Sequence, residues 1–556
     1  MRLLFSKAIA SITLIGPLLA QVGGPTQFLM KPTVQDTFLS DGLLSNIVAE
    51  IRLMGDSLTW LGTGQGLALH DGHRIYSYQT VADSLDDGQY TDRVPAGGIP
   101  AIAVMGDTMA VAYSGDNGSI QVGYGLTLTY QAQDTTGISW TYLKQPVDLV
   151  TDTLKPFGEG YYRSLPVTVS EANVTYDASL AGDFLWIASW AGGLRRYSLS
   201  KRSWENVPMP MDHQDSLSLC RGFDETNSEG KVILPGYYLN PRDPADGGNH
   251  NHKAFSVIAY GDTVWAGTAN GINKGILIKE LVEVNPGVFE ILNCLEWEHF
   301  SYPDDGLSGN FVVGIARQLW NGSVTIWAAT MNADTPGERR GLSYTRDGGA
   351  SWQTALLNER VYNIFTEDSL ILASTASGLW KSFDGENWAL FKPAIDTTFM
   401  AQNQILTDIV YTGIIDQRDT LPKLWIGTSN GAAKSSDLQG SSWTIFQTEY
   451  DTSEFYAYPN PFSPFNHNQL GDDGYVRFHT GNIINTQIKL DIYNFAMEKV
   501  YKETFDLNSY NGAIKWNGRD LNGYHVDNGV YFVRLNYSPA LNKSPMDFWD
   551  KLIVVK

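Results

Sequence analysis

Trp60-Leu61-Gly62-Thr63-Gly64-Gln65-Gly66, Trp265-Ala266-Gly267-Thr268-Ala269-Asn270-Gly271 and Trp425-Ile426-Gly427-Thr428-Ser429-Asn430-Gly431 are three copies of one pattern, Trp-x-Gly-Thr-x-x-Gly. Weaker copies stand at Trp186-Ile187-Ala188-Ser189, Trp327-Ala328-Ala329-Thr330 and Leu372-Ala373-Ser374-Thr375, and the loosest at Ala110-Val111-Ala112-Tyr113. A period longer than a strand pair and shorter than a domain signals one small sheet repeated in space. Successive side chains of a strand point to opposite faces, so Leu424, Ile426 and Thr428 share one face and Trp425 takes the other. Such a strand is expected to be buried on both sides.

Upstream of most copies lies a tight turn, as at Gly55-Asp56-Ser57, Gly106-Asp107-Thr108 or Gly261-Asp262-Thr263. Gly supplies the backbone angles and Asp the local hydrogen bonds of a hairpin there. Another apolar strand precedes the turn, for example Ile47-Val48-Ala49-Glu50-Ile51. Seven such units begin near Asn46, Gly98, Asn173, His252, Leu307, Glu359 and Met400. Four-stranded sheets repeated radially make a β-propeller, which leaves only short edges. Thr37-Phe38-Leu39-Ser40 is the candidate strand to close the ring against the last blade.

Asp, Gly and Trp join the third and fourth strands of several units. Thr345-Arg346-Asp347-Gly348-Gly349-Ala350-Ser351-Trp352 resembles the Asp-box of sialidase-like propellers. The Asp384 to Trp388 turn is one residue short of that pattern, and Asp134 to Trp140 and Asp437 to Trp443 are one residue long. The expected role is structural: Asp bonds backbone amides, Gly takes positive φ, and Trp packs between sheets. Leu43-Leu44-Ser45-Asn46-Ile47-Val48 with Trp60 to Leu67 resembles the propeller repeat in the periplasmic sensor halves of hybrid two-component regulators.

The 556 residues carry 54 glycines and 12% aromatics, a composition suited to short strands and many turns. The 39 basic residues against 60 acidic ones give a formal charge of -21, the wrong sign for a nucleic-acid partner. Arg2 and Lys7 followed by the apolar run Ala8 to Ala20 read as a signal peptide over residues 1–20. That run is too short to span a bilayer, and no later stretch qualifies, so no transmembrane segment is expected in the mature chain. The only cysteines are Cys220 and Cys294. Export permits a disulfide between them, but they fall in different units, and two isolated thiols remain equally open.

The propeller pattern, expected over 21–450, stops near Asp451, and a Pro-rich linker is expected over 451–465. Alternating apolar runs over 466–556 then predict a small antiparallel β-sandwich. Tyr458-Pro459-Asn460-Pro461-Phe462, Trp516-Asn517-Gly518-Arg519-Asp520-Leu521-Asn522-Gly523 and Gly529-Val530-Tyr531 resemble the C-terminal sorting domains of the type IX secretion system. The immunoglobulin-like (Ig-like) domain of flagellar hook-capping proteins shares the Trp-x-Gly-x-Asp-x-x-Gly and Gly-Val-Tyr elements. This resemblance implies export across both membranes of a Gram-negative cell, with the outer-membrane secretion machinery as partner. Asn494-Phe495-Ala496-Met497 departs from the sorting pattern after the Ile-Tyr strand and leaves a purely structural module open.

Gly427-Thr428-Ser429-Asn430-Gly431 matches a nucleophile elbow on paper, but it occupies the repeat register where Gly64 and Ala269 stand elsewhere. The arginine triad and Tyr-Glu pair of sialidases are not legible. Paired carboxylates for glycoside hydrolysis stay open, because carboxyl separation is a spatial fact. Asp243 to His252 gathers two Asp and two His without a metal-site spacing, and a solvated insertion is the expectation. No catalytic residue, cofactor or metal ligand is assigned. The sequence predicts an all-β, seven-bladed β-propeller followed by a C-terminal Ig-like β-sandwich. It reads as a secreted or cell-surface binding or scaffold protein with a glycan or protein ligand at the propeller face. The alternative is a carbohydrate-active enzyme with its site at the axis.

Overall fold

The computed structural model describes residues 39–556 apart from 79–89, 92–94, 96, 117–120, 135–137, 159, 169–173, 221, 243–245, 286, 334, 392–404, 406, 449–454, 468–473, 480–485, 507–513 and 539–544. The stretch expected as signal peptide lies outside them. Among the described residues the chain is all-β apart from one 3-10 turn, His250–His252. Seven antiparallel sheets share a four-strand meander. Their first, innermost strands are Val48–Met54 (sheet I), Gly98–Met105 (II), Thr175–Ala181 (III), Ala254–Tyr260 (IV), Phe311–Trp320 (V), Val361–Glu367 (VI) and Val410–Asp416 (VII). Each inner strand packs on the next in that order, and VII packs on I, so the ring is closed and propeller-like.

Each residue of the repeat pattern has a separate task. Trp60, Trp265 and Trp425 are fully buried in second strands that expose almost nothing. The first Gly is where two sheets come closest. A Cβ on Gly62 would lie 2.9 Å from Ile99 of sheet II, one on Gly267 2.8 Å from the Val312 oxygen of V, and one on Gly427 2.5 Å from the Val48 oxygen of I. The Thr hydroxyl fastens the next turn. Thr63 donates to the Gly66 carbonyl at 2.8 Å, and Thr428 to that of Gly431 at 2.8 Å. The second Gly, at φ 95° in Gly66, 94° in Gly271 and 106° in Gly431, adopts the left-handed region that side chains disfavour. Its amide then reaches the following sheet, from Gly66 to the Gly97 oxygen (2.7 Å), Gly271 to Asn310 (2.6 Å) and Gly431 to Asn46 (2.6 Å).

A second set of tryptophans fills the gap between sheets from outside. Trp140 of sheet II meets Trp60 of I edge-on at 6.3 Å, Trp352 of V meets Trp265 of IV at 6.2 Å, and Trp388 of VI meets Trp327 of V at 6.2 Å. Trp443 of VII shares a cluster with Leu372 of VI, and Trp297 of IV one with Trp186 of III. Edge-to-face contacts suit the ring quadrupoles, and each buried pair removes a large apolar area from water.

Closure differs from the sequence expectation. Leu39–Asp41 pairs with Ile75–Tyr78 of sheet I as a fifth, outer strand, not with the last blade. Sheet VII already has its own fourth strand, Trp443–Phe446, so no exchange site remains. Side chains close the ring. Ile414, Trp425 and Ala432 of VII share a core with Val48, Ile51 and Leu61 of I. Arg418 is held by Asp416 through two hydrogen bonds and donates across the seam to the Met54 and Leu58 carbonyls and to the Thr59 hydroxyl.

An added sheet was not legible in the sequence. Leu154–Phe157, Gly160–Ser164, Val232–Leu239 and Glu225–Thr226 form a mixed four-stranded sheet, one pair of it parallel. Its Phe157, Tyr162, Leu234 and Tyr237 join the core between sheets III and IV. Cys220 and Cys294 are joined as a disulfide, tying the segment after Ser216–Ser218 to the last strand of sheet IV. The stretch Asp243 to His252 was expected to be a solvated insertion. Of its described residues, Asp246 and Gly247 are exposed as expected, whereas Asn251 is 0% exposed and His252 is buried. Asn251 donates to the Pro210 oxygen and the Asn273 side chain and accepts from Thr268, which satisfies a buried amide as low dielectric demands.

The expected linker is also corrected. Tyr456–Tyr458 pairs with Val476–His479, and Phe462 is 0% exposed in the core of the C-terminal region. Two sheets, of three and four strands, enclose that core around Trp516, Phe462, Leu490 and Val533.

Substituting Gly427→Ala should push the Val48 backbone away at the seam and lower stability by about 1–3 kcal/mol. Chemical denaturation checks this, with Gly261→Ala as a control, since the space around its Cβ position is open but φ is +55°. The control is expected to show only its local backbone cost.

Candidate functional site

Every inner strand of the ring carries a register shift near its start, where one or two residues are left without a ladder partner. Bulges of this kind re-aim side chains. The residues released in sheets III to VII are Tyr176, Phe255, Val313, Tyr362 and Tyr411. Four of these five are aromatic, and with Trp190 and Phe311 they form two groups of ring contacts near the start of the inner strands, here called the mouth. In the first, Phe255 lies 5.4 Å from Tyr176, 5.4 Å from Trp190 and 4.2 Å from Phe311, and Lys253 stands 4.9 Å over the Trp190 ring. In the second, Tyr362 and Tyr411 meet at 5.1 Å, with the Arg360 guanidinium 5.2 Å from the Tyr362 centroid. Trp190 is 40% exposed, and Tyr176, Phe311, Tyr362 and Tyr411 are half-buried. Burial pushes the Tyr411 hydroxyl up to about 12, so it stays a neutral hydrogen-bonding group.

Further along the inner strands the polar groups bind sheet to sheet. An inner strand has one unpaired edge, whose amides need partners. Asp177 of sheet III accepts from Val257 N of IV at 2.9 Å, Ser179 from Ala259 N at 3.0 Å, and Arg52 Nε of I donates to the Ile102 oxygen of II at 3.0 Å. Glu50 pairs with Arg52 at 2.6 Å. Burial raises the Glu50 carboxyl to about 7, Arg52 opposing and Asp177 adding to the shift. Burial likewise raises Asp177 to about 6 against the Val257 amide. Asp177 thus ties sheet III to IV, while Glu50 is paired within its own strand to Arg52, which itself reaches sheet II.

The turns singled out in the sequence fall on the outer side of the ring. Asp347 accepts from Ser351 N at 2.9 Å and Ser351 Oγ at 2.5 Å, and a Cβ on Gly349, at φ 107°, would run into Phe300. Asp384 accepts from Glu386 N and Asn387 N, both at 2.8 Å, and Asp437 from Gln439 N and Ser441 N. The Asn387 side-chain amide, which donates to Asp384 at 2.8 Å, together with these backbone bonds holds the Asp384 carboxyl below the usual range, and the Ser351 and Thr345 hydroxyls with the Ser351 amide do the same for Asp347. Trp388 and Trp443 each donate to a turn glycine carbonyl at 3.1 Å. Asp134 begins a turn whose middle, 135–137, lies outside the described residues. Ser429 donates to Thr407 Oγ1 at 2.9 Å in its repeat turn.

In the C-terminal region, Trp516 donates to the Arg519 carbonyl at 2.7 Å, and Asp520 accepts from Asn522 N and Tyr524 N at 2.9 Å each. Gly518 and Gly523 take φ 75° and 85°, and Tyr531 packs 6.0 Å from Trp516 and donates to the Asp527 oxygen. Pro459 and Pro461 follow cis peptide bonds beside Tyr458 and Asn460, whose side-chain amide donates to the Lys551 oxygen at 2.5 Å. Gly529 and Val530 pair with Val554 and Ile553. The motif residues therefore fasten turns and fill a core. Solvent meets a different set on the outer face of the four-stranded sheet: Phe495, 78% exposed, lies 6.3 Å from Phe532, and Tyr493 lies 5.7 Å from Trp549.

The aromatic mouth was missed in the sequence, although its signal is there. Thr175-Tyr176-Asp177, Ala254-Phe255-Ser256, Val361-Tyr362-Asn363 and Val410-Tyr411-Thr412 repeat an aromatic at one register of the unit.

No protein-family model matches the chain, and no curated protein matches its sequence. Among solved structures it is similar to the extracellular domain of the putative one component system BT4673 from B. thetaiotaomicron, at 13% identity over 93% of this chain and 82% of that one, with a TM-score of 0.25. It is similar to PorZ, an essential bacterial surface component of the type-IX secretion system of Porphyromonas gingivalis, at 14% identity over 92% and 87%, TM-score 0.15. YCF48 from Cyanidioschyzon merolae follows at 9% identity over 74% and 99%, TM-score 0.35. Likenesses at these scores carry no argument about function, and the fold rests on the strand order itself.

Glu50 gives a pH test. Its carboxyl is raised in the fold from 4.5 to about 7, so stability present below pH 4.5 is lost as pH rises toward 7. Glu50→Gln should remove that loss, gaining on the wild type by up to about 3 kcal/mol at pH 8 and little at pH 4. His70 and His252, both lowered to about 4 mainly by burial, act in the opposite direction and cancel in the difference. Urea titrations of both proteins at the two pH values check it, and a pH-independent difference would contradict it.

Proposed function

We propose that the chain is an exported binding protein: a seven-bladed β-propeller, fastened by Asp-box turns, that holds a ligand at its aromatic mouth and is followed by an Ig-like sandwich. The observation that carries this reading is the mouth itself. Tyr176, Trp190, Phe255 and Phe311 form one group of ring contacts and Tyr362 and Tyr411 another, drawn from five successive sheets near the start of their inner strands. Partly exposed aromatics with a few polar neighbours suit the apolar faces of sugar rings. The interior carboxylates Glu50 and Asp177 are engaged with Arg52 and with backbone amides, which favours binding over hydrolysis. A saccharide array probed with the mature protein, with product analysis alongside, tests this. Binding without cleavage is expected, with Trp190→Ala and Tyr362→Ala each weakening it about tenfold. Retention of no saccharide, or variants that bind like the wild type, would refute it.

The C-terminal module is the sorting or attachment element of this proposal, which places the protein outside a Gram-negative cell after passage through the periplasm. The burial of Trp516, Phe462 and Tyr531 supports a role for the motifs in folding the module, leaving the Phe495, Phe532 and Trp549 face for recognition by the secretion machinery. Deleting residues from 456 onward should leave a folded propeller in the periplasm of a type IX-competent host. The truncated protein at normal yield in the medium would refute the sorting role.

A further inference from the structure

The second ring group of the mouth carries a concentration of positive charge that runs against the rest of the chain. Arg339 and Arg340 immediately precede the third strand of sheet V, Gly341–Thr345, and Arg360 immediately precedes the inner strand of sheet VI. All three are exposed. Asn358, held at φ 79°, gathers the first two: its side-chain oxygen accepts from Arg339 Nε at 3.1 Å, its carbonyl from Arg340 Nε at 2.6 Å, and its amide donates to the Arg340 oxygen at 2.8 Å. Both guanidinium groups are thus anchored through Nε, and the terminal nitrogens, the pair that fits a carboxylate, are left for another acceptor.

None of the three arginines forms an ion pair among the described residues. The adjacent carboxylates are turned to other partners. Glu338 accepts from Ala333 N, and Glu359 accepts from Ser377 Oγ at 2.5 Å. Arg360 lies against Tyr362, whose hydroxyl feels the charge of both Arg360 and Arg340, and Tyr411 completes the aromatic pair. In a chain of formal charge -21, a cationic sector of this kind attracts an anion that the surrounding surface repels.

We propose that this sector selects a carboxylate-bearing polysaccharide, with a sugar ring against Tyr362 and Tyr411 and its carboxylate held by Arg340 and Arg360. The proposal rests on the binding reading above and adds the ligand class. A neutral sugar would use the aromatic pair alone. An acidic one uses both the rings and the forks, and the ion pairs make its binding weaken as salt is raised.

The test compares polygalacturonate with its methyl-esterified form, which keeps the backbone and removes the charge, by calorimetry on the mature protein. Polygalacturonate is expected to bind at least about tenfold tighter at low salt, an advantage that shrinks at high salt. The double variant Arg340→Ala/Arg360→Ala should lose about that factor for polygalacturonate and little for the ester, while Tyr362→Ala weakens both. A thermal melt shows that each variant is folded, and Arg340→Lys/Arg360→Lys, which keeps the charge without the planar fork, should recover only part of the affinity. Equal binding of acid and ester, or a double variant that binds polygalacturonate like the wild type, overturns the ligand class and leaves the binding function standing. No binding to either polymer or to any arrayed saccharide overturns both.

Discussion

The approach of Gly427 to the Val48 carbonyl is the contact on which the ring depends. Six of the seven junctions join sheets that follow one another in the chain, although the added sheet is inserted before and after sheet III. The seventh must bring residues near 48 and near 427 together, a long-range closure whose entropy cost grows only slowly with loop length but is met only when every other sheet is in place. Nothing covalent and no exchanged strand holds it. The seam uses the same devices as the other junctions: a glycine at the closest approach, a left-handed glycine whose amide crosses to Asn46, and a shared core. Arg418 is the addition, bonded by Asp416 so that its charge is compensated while its remaining donors satisfy backbone carbonyls of sheet I. Leaving those carbonyls buried without donors would cost more than the pair contributes in isolation.

A closed ring also explains why the polar residues of the interior are better read as fasteners. The inner edges of neighbouring sheets do not pair as one sheet, and a side chain of the neighbouring strand can satisfy an amide there. Asp177 and Ser179 do this for Val257 and Ala259. Raised carboxyl pKa values are often a mark of chemistry. Here the cause is burial in a junction, and the carboxylate oxygens of Asp177 are already occupied by two amides. The groups that remain available lie at the mouth, where each register shift leaves one or two residues out of the ladder. Mouth and seam thus belong to different strands of each sheet: the register shifts lie on the inner strands, and the glycines of closest approach on the second strands.

Much of this was legible in the sequence because the repeat residues are tied to backbone constraints that any copy must satisfy. Trp60, Gly62, Thr63 and Gly66 each serve one local purpose, and the purpose recurs. Closure was misread because Thr37 to Ser40 has the look of a strand with no partner, and only the three-dimensional order shows that sheet VII lacks no fourth strand. The added sheet was missed because its parallel pair, Gly160–Ser164 with Val232–Leu239, joins segments about 70 residues apart that carry no shared pattern. The Cys220–Cys294 bridge belongs to the same region and is equally non-local. The polar look of Asp243 to His252 misled for a related reason: Asn251 is buried because Pro210, Thr268 and Asn273 come to it, and a linear reading sees only its neighbours.

The two proposed recognition surfaces were hidden for a further reason. Motif reading favours residues that recur, and recurrence marks what every blade needs, so it pointed to the Asp-turn tryptophans and to Trp516 and Asp520. Those side chains are spent on turns and cores. The proposed binding residues are instead those that differ from blade to blade at a shared register: Ala49 in sheet I and Val313 in V, but Tyr362 and Tyr411 in VI and VII, with Arg340 and Arg360 beside them. The repeat sets where a side chain must emerge, and the departures from it decide what that side chain can bind.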